Sequence, residues 1–157
     1  MADCAAHLVE HVLPWAPYRQ WTLSLPYAVR FRVGYDIRLL SAVLRVFLRT
    51  VFAWQRRKAR ALGIAQPMVG AITFCQRYGS LLQFTPHFHS WLPDGVFALD
   101  DSGALQLHEL PPPDDAEVAA LAWRIGAITF CRPGCRPQRA SRVHAAPPSQ
   151  AIRCTPT

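Results

Sequence analysis

The segment from Tyr35 to Leu62 constrains the fold most, because it is the longest stretch of the chain that holds no Gly or Pro. Its pattern is helical; Asp36 is suited to the N-cap and Gly63 to the position after the C-cap. Polar and apolar residues alternate just before it, over 20–25, which predicts a strand with one buried face. The fold must therefore combine a helix of about seven turns with β-structure.

A second group of β-prone segments follows the long helix. Turn signals separate them, including Pro93-Asp94-Gly95 and the polar run 100–103. A short helix is expected over 2–12 and a later one from Asp114 through Arg124. The expected strands cover residues 68–74, 81–92, 96–99 and 104–110. This order predicts an α+β domain over residues 1–125, with an antiparallel sheet and one long helix.

Regular patterning ends near Ile125. Residues 126–157 contain five arginines and no Asp or Glu, so they carry +5 of the formal net charge of +7. Residues 126–131 repeat residues 70–75 letter for letter as GAITFC. We predict that 126–157 form a disordered tail, either a native basic tail or an out-of-frame translation of GC-rich DNA. The basic charge therefore says little about the folded part.

The composition excludes several classes of protein. Apolar residues make up 51% and charged residues 17%, which excludes a wholly disordered chain, a collagen-like fibre and a coiled-coil rod. No apolar stretch reaches the roughly 20 residues of a membrane span. The first residues lack the positive region of a signal peptide, and five cysteines follow no framework spacing. We expect a cytoplasmic location without membrane contact.

His87-Phe88-His89 is the triplet most suggestive of chemistry. Pro86 favours extended backbone before it, and residues i and i+2 of a strand point to the same face. Both imidazoles would then project together, with Phe88 buried behind them. Two neutral imidazoles can bind a divalent metal if another element adds a third ligand. The alternative is two polar residues on the solvated face of a half-buried strand.

Several segments resemble one family in chain order. They are residues 85–97 (TPHFHSWLPDGVF), 7–14 (HLVEHVLP), 19–27 (RQWTLSLPY) and 77–80 (RYGS). Together they are similar to the HUH (His-hydrophobic-His) rolling-circle transposases of bacterial insertion sequences. The resemblance covers roughly residues 1–125. It implies that His87 and His89 bind Mg²⁺ or Mn²⁺, and that the partner is single-stranded DNA at transposon ends.

The resemblance also implies metal-dependent DNA nicking and strand transfer in DNA transposition. In the family, a tyrosine on a later helix attacks phosphorus and forms a covalent phosphotyrosine. This sequence departs from the family pattern: a cysteine-rich zinc module does not precede residues 1–26, and all four tyrosines lie before His87. We therefore expect a transposase fragment that binds metal but does not nick DNA. Three residues remain open as the third ligand: Gln20, Gln83 and Asp94.

A row of arginines marks the long helix. At 3.6 residues per turn the five fall in one narrow stripe: Arg38, Arg45, Arg49, Arg56 and Arg60. Such a stripe is either the solvated face of an amphipathic helix or a surface that follows DNA phosphates. The alternative function is therefore a non-catalytic DNA-binding module that acts through this basic helix.

Two other sets of residues have metal-ligand types. His7 and His11 with Glu10 match the H-x-x-E-H spacing of inverted zinc peptidases, although their helix is short. The second set is Cys131, Cys135, His144 and Cys154, whose irregular spacing is not typical of a zinc site.

A further alternative is that the fragment does not fold stably, because an incomplete HUH sheet would expose an apolar face.

Overall fold

The computed structural model describes residues 6–130 and 152–156. Within them lie a four-stranded sheet, a separate β-hairpin and three α-helices, preceded by a π-helical turn at Leu8–Val12. The strands are β1 (Tyr18–Ser24), β2 (Ile72–Tyr78), β3 (Phe84–Pro93), β4 (Gly95–Leu99), β5 (Leu105–Glu109) and β6 (Ile152–Pro156). The helices are α1 (Tyr27–Tyr35), α2 (Ile37–Ala61) and α3 (Asp115–Phe130). The predicted α+β class is confirmed.

The larger sheet has the order β2-β3-β1-β6, and every neighbouring pair is antiparallel. β3, which carries the two histidines, therefore lies between β1 and β2. In this register His89 is opposite Thr22 on one side and Phe74 on the other. The antiparallel sheet bearing the His-x-His strand is thus confirmed.

One face of this sheet forms the core. Trp21 on β1 and Phe88 on β3 are each only 1% exposed, and Trp54 of α2 packs edge-on against Trp21 with ring centroids 5.7 Å apart. The apolar side of α2 supplies Phe47 and Val51 to the same cluster. Since side chains alternate along a strand, the residues between these buried positions face away from α2.

The ends of α2 follow the sequence signals. The Asp36 carboxylate accepts hydrogen bonds from the backbone N–H groups of Arg38 (2.9 Å) and Leu39 (3.2 Å), so the predicted N-cap is confirmed. Gly63 has a φ of 81°, the left-handed conformation expected after a helix C-cap. The predicted long helix is correct to within two residues at its start and one at its end.

The second sheet is the predicted hairpin of β4 and β5. It packs on the end of α2 through a small apolar cluster of Ala59, Val96 and Leu110. Buried Gln55 of α2 donates to the carbonyl of Pro93 at 3.1 Å, which holds the corner between β3 and β4 against the helix. Among the described helices, none is both long and apolar enough to cross a membrane.

Several elements differ from the sequence expectations: the expected N-terminal helix is a π-helical turn at Leu8–Val12, and β3 begins at Phe84 rather than Leu81. Helix α1 was not expected, because its apolar residues do not form one stripe; it is held instead by packing on β3. β2 begins at Ile72 rather than Met68, since Met68 forms an isolated bridge with Phe97 of the hairpin. Order also continues past Ile125, because Leu121, Ala122 and Ile125 are buried against the core and the helix extends to Phe130.

The predicted disordered tail is described only at its two ends. Residues 126–130 complete α3, and residues 152–156 form β6 on the free edge of β1. Edge pairing satisfies backbone groups of β1 whatever the side chains, which is why composition gave no sign of it. The expectation for residues 131–151 and 157 lies outside the described residues.

Candidate functional site

His87 and His89 lie side by side on the face of the sheet that α2 does not cover. Their ring centroids are 4.7 Å apart and the rings are inclined by 77°. Both side chains are half-buried, whereas Phe88 between them is buried in the core. The alternation of β3 therefore places both imidazoles together, as the sequence predicted.

A backbone carbonyl fixes the ring of His87. The distance from its Nδ1 to the carbonyl oxygen of Thr85 is 2.6 Å. Because a carbonyl only accepts, Nδ1 must carry the proton, and in the neutral ring Nε2 keeps its lone pair. A histidine that donates one N–H to a carbonyl while its other nitrogen stays free has the arrangement usual for a metal ligand.

The side chain of Gln20 on β1 contacts the second histidine. Gln20 Nε2 lies 2.6 Å from Nδ1 of His89, and Thr22 Oγ1 lies 3.4 Å from the same nitrogen. Rotating the Gln20 amide by 180° exchanges Nε2 for Oε1, which lets Nδ1 donate and leaves Nε2 of His89 free. Either nitrogen of His89 can thus be made available by a movement of one amide.

Burial, and secondarily the neighbouring His87, lower the pKa of His89. The ring is therefore neutral at neutral pH, the state in which imidazole binds a metal. The strands around the pair carry no acidic side chains, since β1, β2 and β3 contain no Asp or Glu. The pair therefore lies in a part of the sheet without carboxylates.

The structure separates the three candidates for a third ligand. Only Gln20 contacts the pair. The Gln83 side chain accepts from the backbone N–H of Leu81 at 3.0 Å, and Asp94 forms a two-pronged ion pair with Arg19 at 2.6 and 2.7 Å. In the described part of the chain, no group of three or more His, Cys, Asp or Glu could hold a metal ion.

The donor set fits a cation that accepts both nitrogen and oxygen. Two imidazoles would hold such an ion, together with the Gln20 amide oxygen if that amide turned towards it, and would leave further coordination positions for water or a phosphate oxygen. Imidazole suits Mn²⁺ better than Mg²⁺, which prefers oxygen ligands. Of the two predicted cations, Mn²⁺ therefore matches these residues more closely.

The arginine stripe of α2 lies on the other side of the molecule. Arg38, Arg45, Arg49 and Arg60 are exposed and Arg56 is half-buried. None of the five pairs with a carboxylate in residues 6–130 or 152–156. The stripe points away from the buried side of α2, and the His pair lies beyond the sheet that this side covers. The structure does not bring the two predicted sites together.

The structure adds little support for metal binding by the other two sets of candidate ligands. The exposed rings of His7 and His11 are 5.1 Å apart on the N-terminal turn, with the Glu10 carboxylate 3.9 Å from His11. In the second set, burial raises the pKa of Cys154 to about 12, which keeps its thiol protonated. Its possible partners Cys131, Cys135 and His144 lie outside the described residues.

No protein-family model, curated protein or solved structure matches the chain.

Proposed function

We propose that this chain is a fragment of a rolling-circle insertion-sequence transposase that binds a divalent cation and single-stranded DNA. The observation that carries the proposal is the pair of neighbouring imidazoles on the open face of β3. The hydrogen bond from His87 to Thr85 and the contact of Gln20 with His89 support it. Both contacts involve Nδ1 of the ring, and such contacts fix the orientation of metal-binding imidazoles.

The role of the bound cation would be to polarise a phosphate oxygen of DNA. His87 and His89 would hold it, and Gln20 would position His89 or supply an oxygen ligand. The HUH resemblance places the attacking tyrosine after the His pair, whereas the four tyrosines here precede it. We therefore expect this chain to bind metal and DNA without cleaving the strand.

Isothermal titration with MnCl₂ tests the metal site. We expect His87→Ala and His89→Ala to abolish binding, and Gln20→Leu to weaken it about 10-fold or more, as loss of an orienting partner does at other metal sites. Two matched controls, Gln83→Leu and His108→Ala, should bind like the wild type. His108 is a half-buried histidine in the hairpin.

Unchanged Mn²⁺ affinity in the His87→Ala/His89→Ala double variant would refute the metal site. Metal-dependent cleavage of a hairpin-containing single strand by the wild-type chain would refute the expected lack of nicking.

The second candidate function is a DNA-binding module that acts through α2 alone. It is favoured by the exposure of the arginine stripe and by the lack of a carboxylate partner for it in the described residues. This function would survive loss of both histidines, which separates it from the first.

A further inference from the structure

Four exposed aromatic side chains surround the half-buried Phe84 where β3 begins. α1 presents three of them at i, i+4 and i+8: Tyr27, Phe31 and Tyr35, which are 72%, 50% and 72% exposed. Phe84 at the start of β3 and Tyr78 at the end of β2 complete the group, which we call the aromatic platform. Rings with this much exposed surface contribute little to the core, so core packing does not account for the cluster.

The platform is held in place by stacking. The ring of Phe84 stacks on Tyr35 (centroids 4.7 Å apart, planes 15° apart) and on Phe31 (5.4 Å, 25°), and Tyr78 meets it edge-on at 5.6 Å. Gly34 lets α1 approach β3, because a Cβ there would lie 3.0 Å from Pro86 Cγ and closer still to the Phe84 ring. The rings are thus prearranged, which lowers the entropy cost of binding a flat partner.

The charge around the platform favours an anionic partner. The Arg30 guanidinium lies over the Tyr27 ring, 4.3 Å from its centroid, and Arg32 on α1 and Arg77 on β2 are exposed. Residues 11–93 contain eleven Lys or Arg and a single acidic residue, Asp36. The Asp36 carboxylate is already engaged as the N-cap of α2.

The platform and the His pair lie on opposite faces of β3. Phe84 and His87 are three residues and roughly 10 Å apart along β3, so alternation turns their side chains to opposite faces of the sheet. The platform is therefore a site separate from the His pair, and one DNA strand would reach both only by passing around the end of the sheet.

We propose that the aromatic platform stacks the unpaired bases of single-stranded DNA. The choice of DNA as the ligand rests on the proposed function. Single strands fit because every unpaired base offers a flat face to an aromatic ring, whereas in a duplex neighbouring base pairs cover these faces. The arginines among the rings attract the phosphates on either side of a stacked base.

Fluorescence anisotropy with two labelled 15-mers of equal charge tests the proposal. One is oligothymidylate and the other is an abasic strand, so that stacking is separated from phosphate attraction. At fixed ionic strength we expect the wild type to bind oligothymidylate at least tenfold more tightly. Tyr27→Ala/Tyr35→Ala should bind both strands equally, while Trp123→Ala, which removes an exposed ring on α3, should keep the preference.

A second variant distinguishes loss of stacking from misfolding. Tyr27→Leu/Tyr35→Leu keeps apolar bulk but removes both flat rings, and it should lose the preference while retaining the wild-type circular dichroism spectrum. A wild type without preference for bases overturns the proposal, as does a double variant that keeps the preference. Sedimentation velocity tests whether a second copy of this chain occupies the platform instead. If the wild type is a dimer and the double variant is a monomer, the DNA-stacking proposal is overturned.

Mn²⁺ titration of the same proteins separates the two proposals. Tyr27→Ala/Tyr35→Ala should bind Mn²⁺ like the wild type. If the wild type binds Mn²⁺ but shows no preference for bases, the platform proposal fails and the metal site stands. If it prefers bases but binds no Mn²⁺, the metal site fails and the platform stands.

Discussion

The side chain of Glu117 links α3 to two residues of α2. Its carboxylate accepts from Trp54 Nε1 at 2.9 Å and from Lys58 Nζ at 2.8 Å. It also accepts from the backbone N–H of Asp114, whose own carboxylate accepts from the N–H of Glu117 at 2.7 Å. This reciprocal pair is a capping box, so one carboxylate both begins α3 and ties it to α2.

Burial opposes ionisation of Glu117, but the hydrogen bonds from Lys58 and Trp54 outweigh it and lower the pKa of the carboxyl. Because the folded pKa lies below the ordinary value of 4.5, this stabilisation is complete above that pH and is lost as the pH falls through the folded pKa. Glu117→Gln should lower the free energy of unfolding by about 1 kcal/mol at pH 7 and flatten its acid dependence. Urea denaturation between pH 3 and 7 measures both.

Glu109→Gln is the control for this prediction, since it removes an exposed carboxylate from the hairpin. If Glu117→Gln keeps the wild-type acid dependence, Glu117 does not link the helices as described.

The His pair illustrates what single residues reveal before a structure is known. Their common face follows from the alternation of a strand, so the sequence was sufficient to predict it. The contact of Gln20 with His89 could not be predicted, because it depends on the register between β1 and β3, and these strands are far apart in the chain. Gln83 and Asp94 were equal candidates until that register and their own hydrogen bonds were known.

Helix α1 depends on one glycine for its position against β3. Gly34→Ala should lower the free energy of unfolding by about 1–3 kcal/mol, because the new methyl group overlaps the ring of Phe84. Thermal denaturation measures the change, and Phe84→Leu in the same chain should recover part of it.

Gly126→Ala in α3 is the matched control for Gly34→Ala. No described atom lies within 4 Å of a Cβ at this position, so helix propensity alone should raise stability by about 0.5–1 kcal/mol. Equal gains at the two glycines would contradict the close approach of α1 to β3.

The two copies of GAITFC show why elements were only partly predictable. Residues 72–75 of the first copy lie in β2, whereas residues 126–130 of the second complete α3. The same letters adopt both structures because burial of Ile125 and Leu121 continues the helix, while pairing with β3 extends the strand. Long α2 was predictable because it carries its own caps; α1 was not, because its support comes from β3.

Charge is unevenly distributed over the whole molecule. Residues 94–124 contain seven Asp or Glu and one Arg, the reverse of the basic region before them. The arginine stripe and the His pair both belong to the basic region but lie on opposite surfaces. A short strand can therefore reach one of them, and only a longer strand can reach both.

Salt titration of DNA binding tests the contribution of the stripe. Each phosphate contact with a single strand contributes about −0.7 to the slope of log K against log salt. Replacing Arg38, Arg45 and Arg49 by Gln should make the slope less steep by about 2 if all three contact phosphates. Arg57→Gln/Arg124→Gln, which removes two exposed arginines outside the stripe, is the control. An unchanged slope in the triple variant would show that the stripe is only a solvated helix face.

The repeated hexapeptide also bears on how the chain folds. Either copy can offer the same side chains and backbone groups to the free edge of β3 while the protein is still assembling. The first copy has the shorter loop to close, from Phe74 to His89 rather than from His89 to Phe130, an entropic advantage of roughly 0.9 kcal/mol. Because this difference is small, the second copy can also pair with the edge of β3 early in folding. Once α3 packs on the core, the second copy is held in a helix and no longer competes with the first.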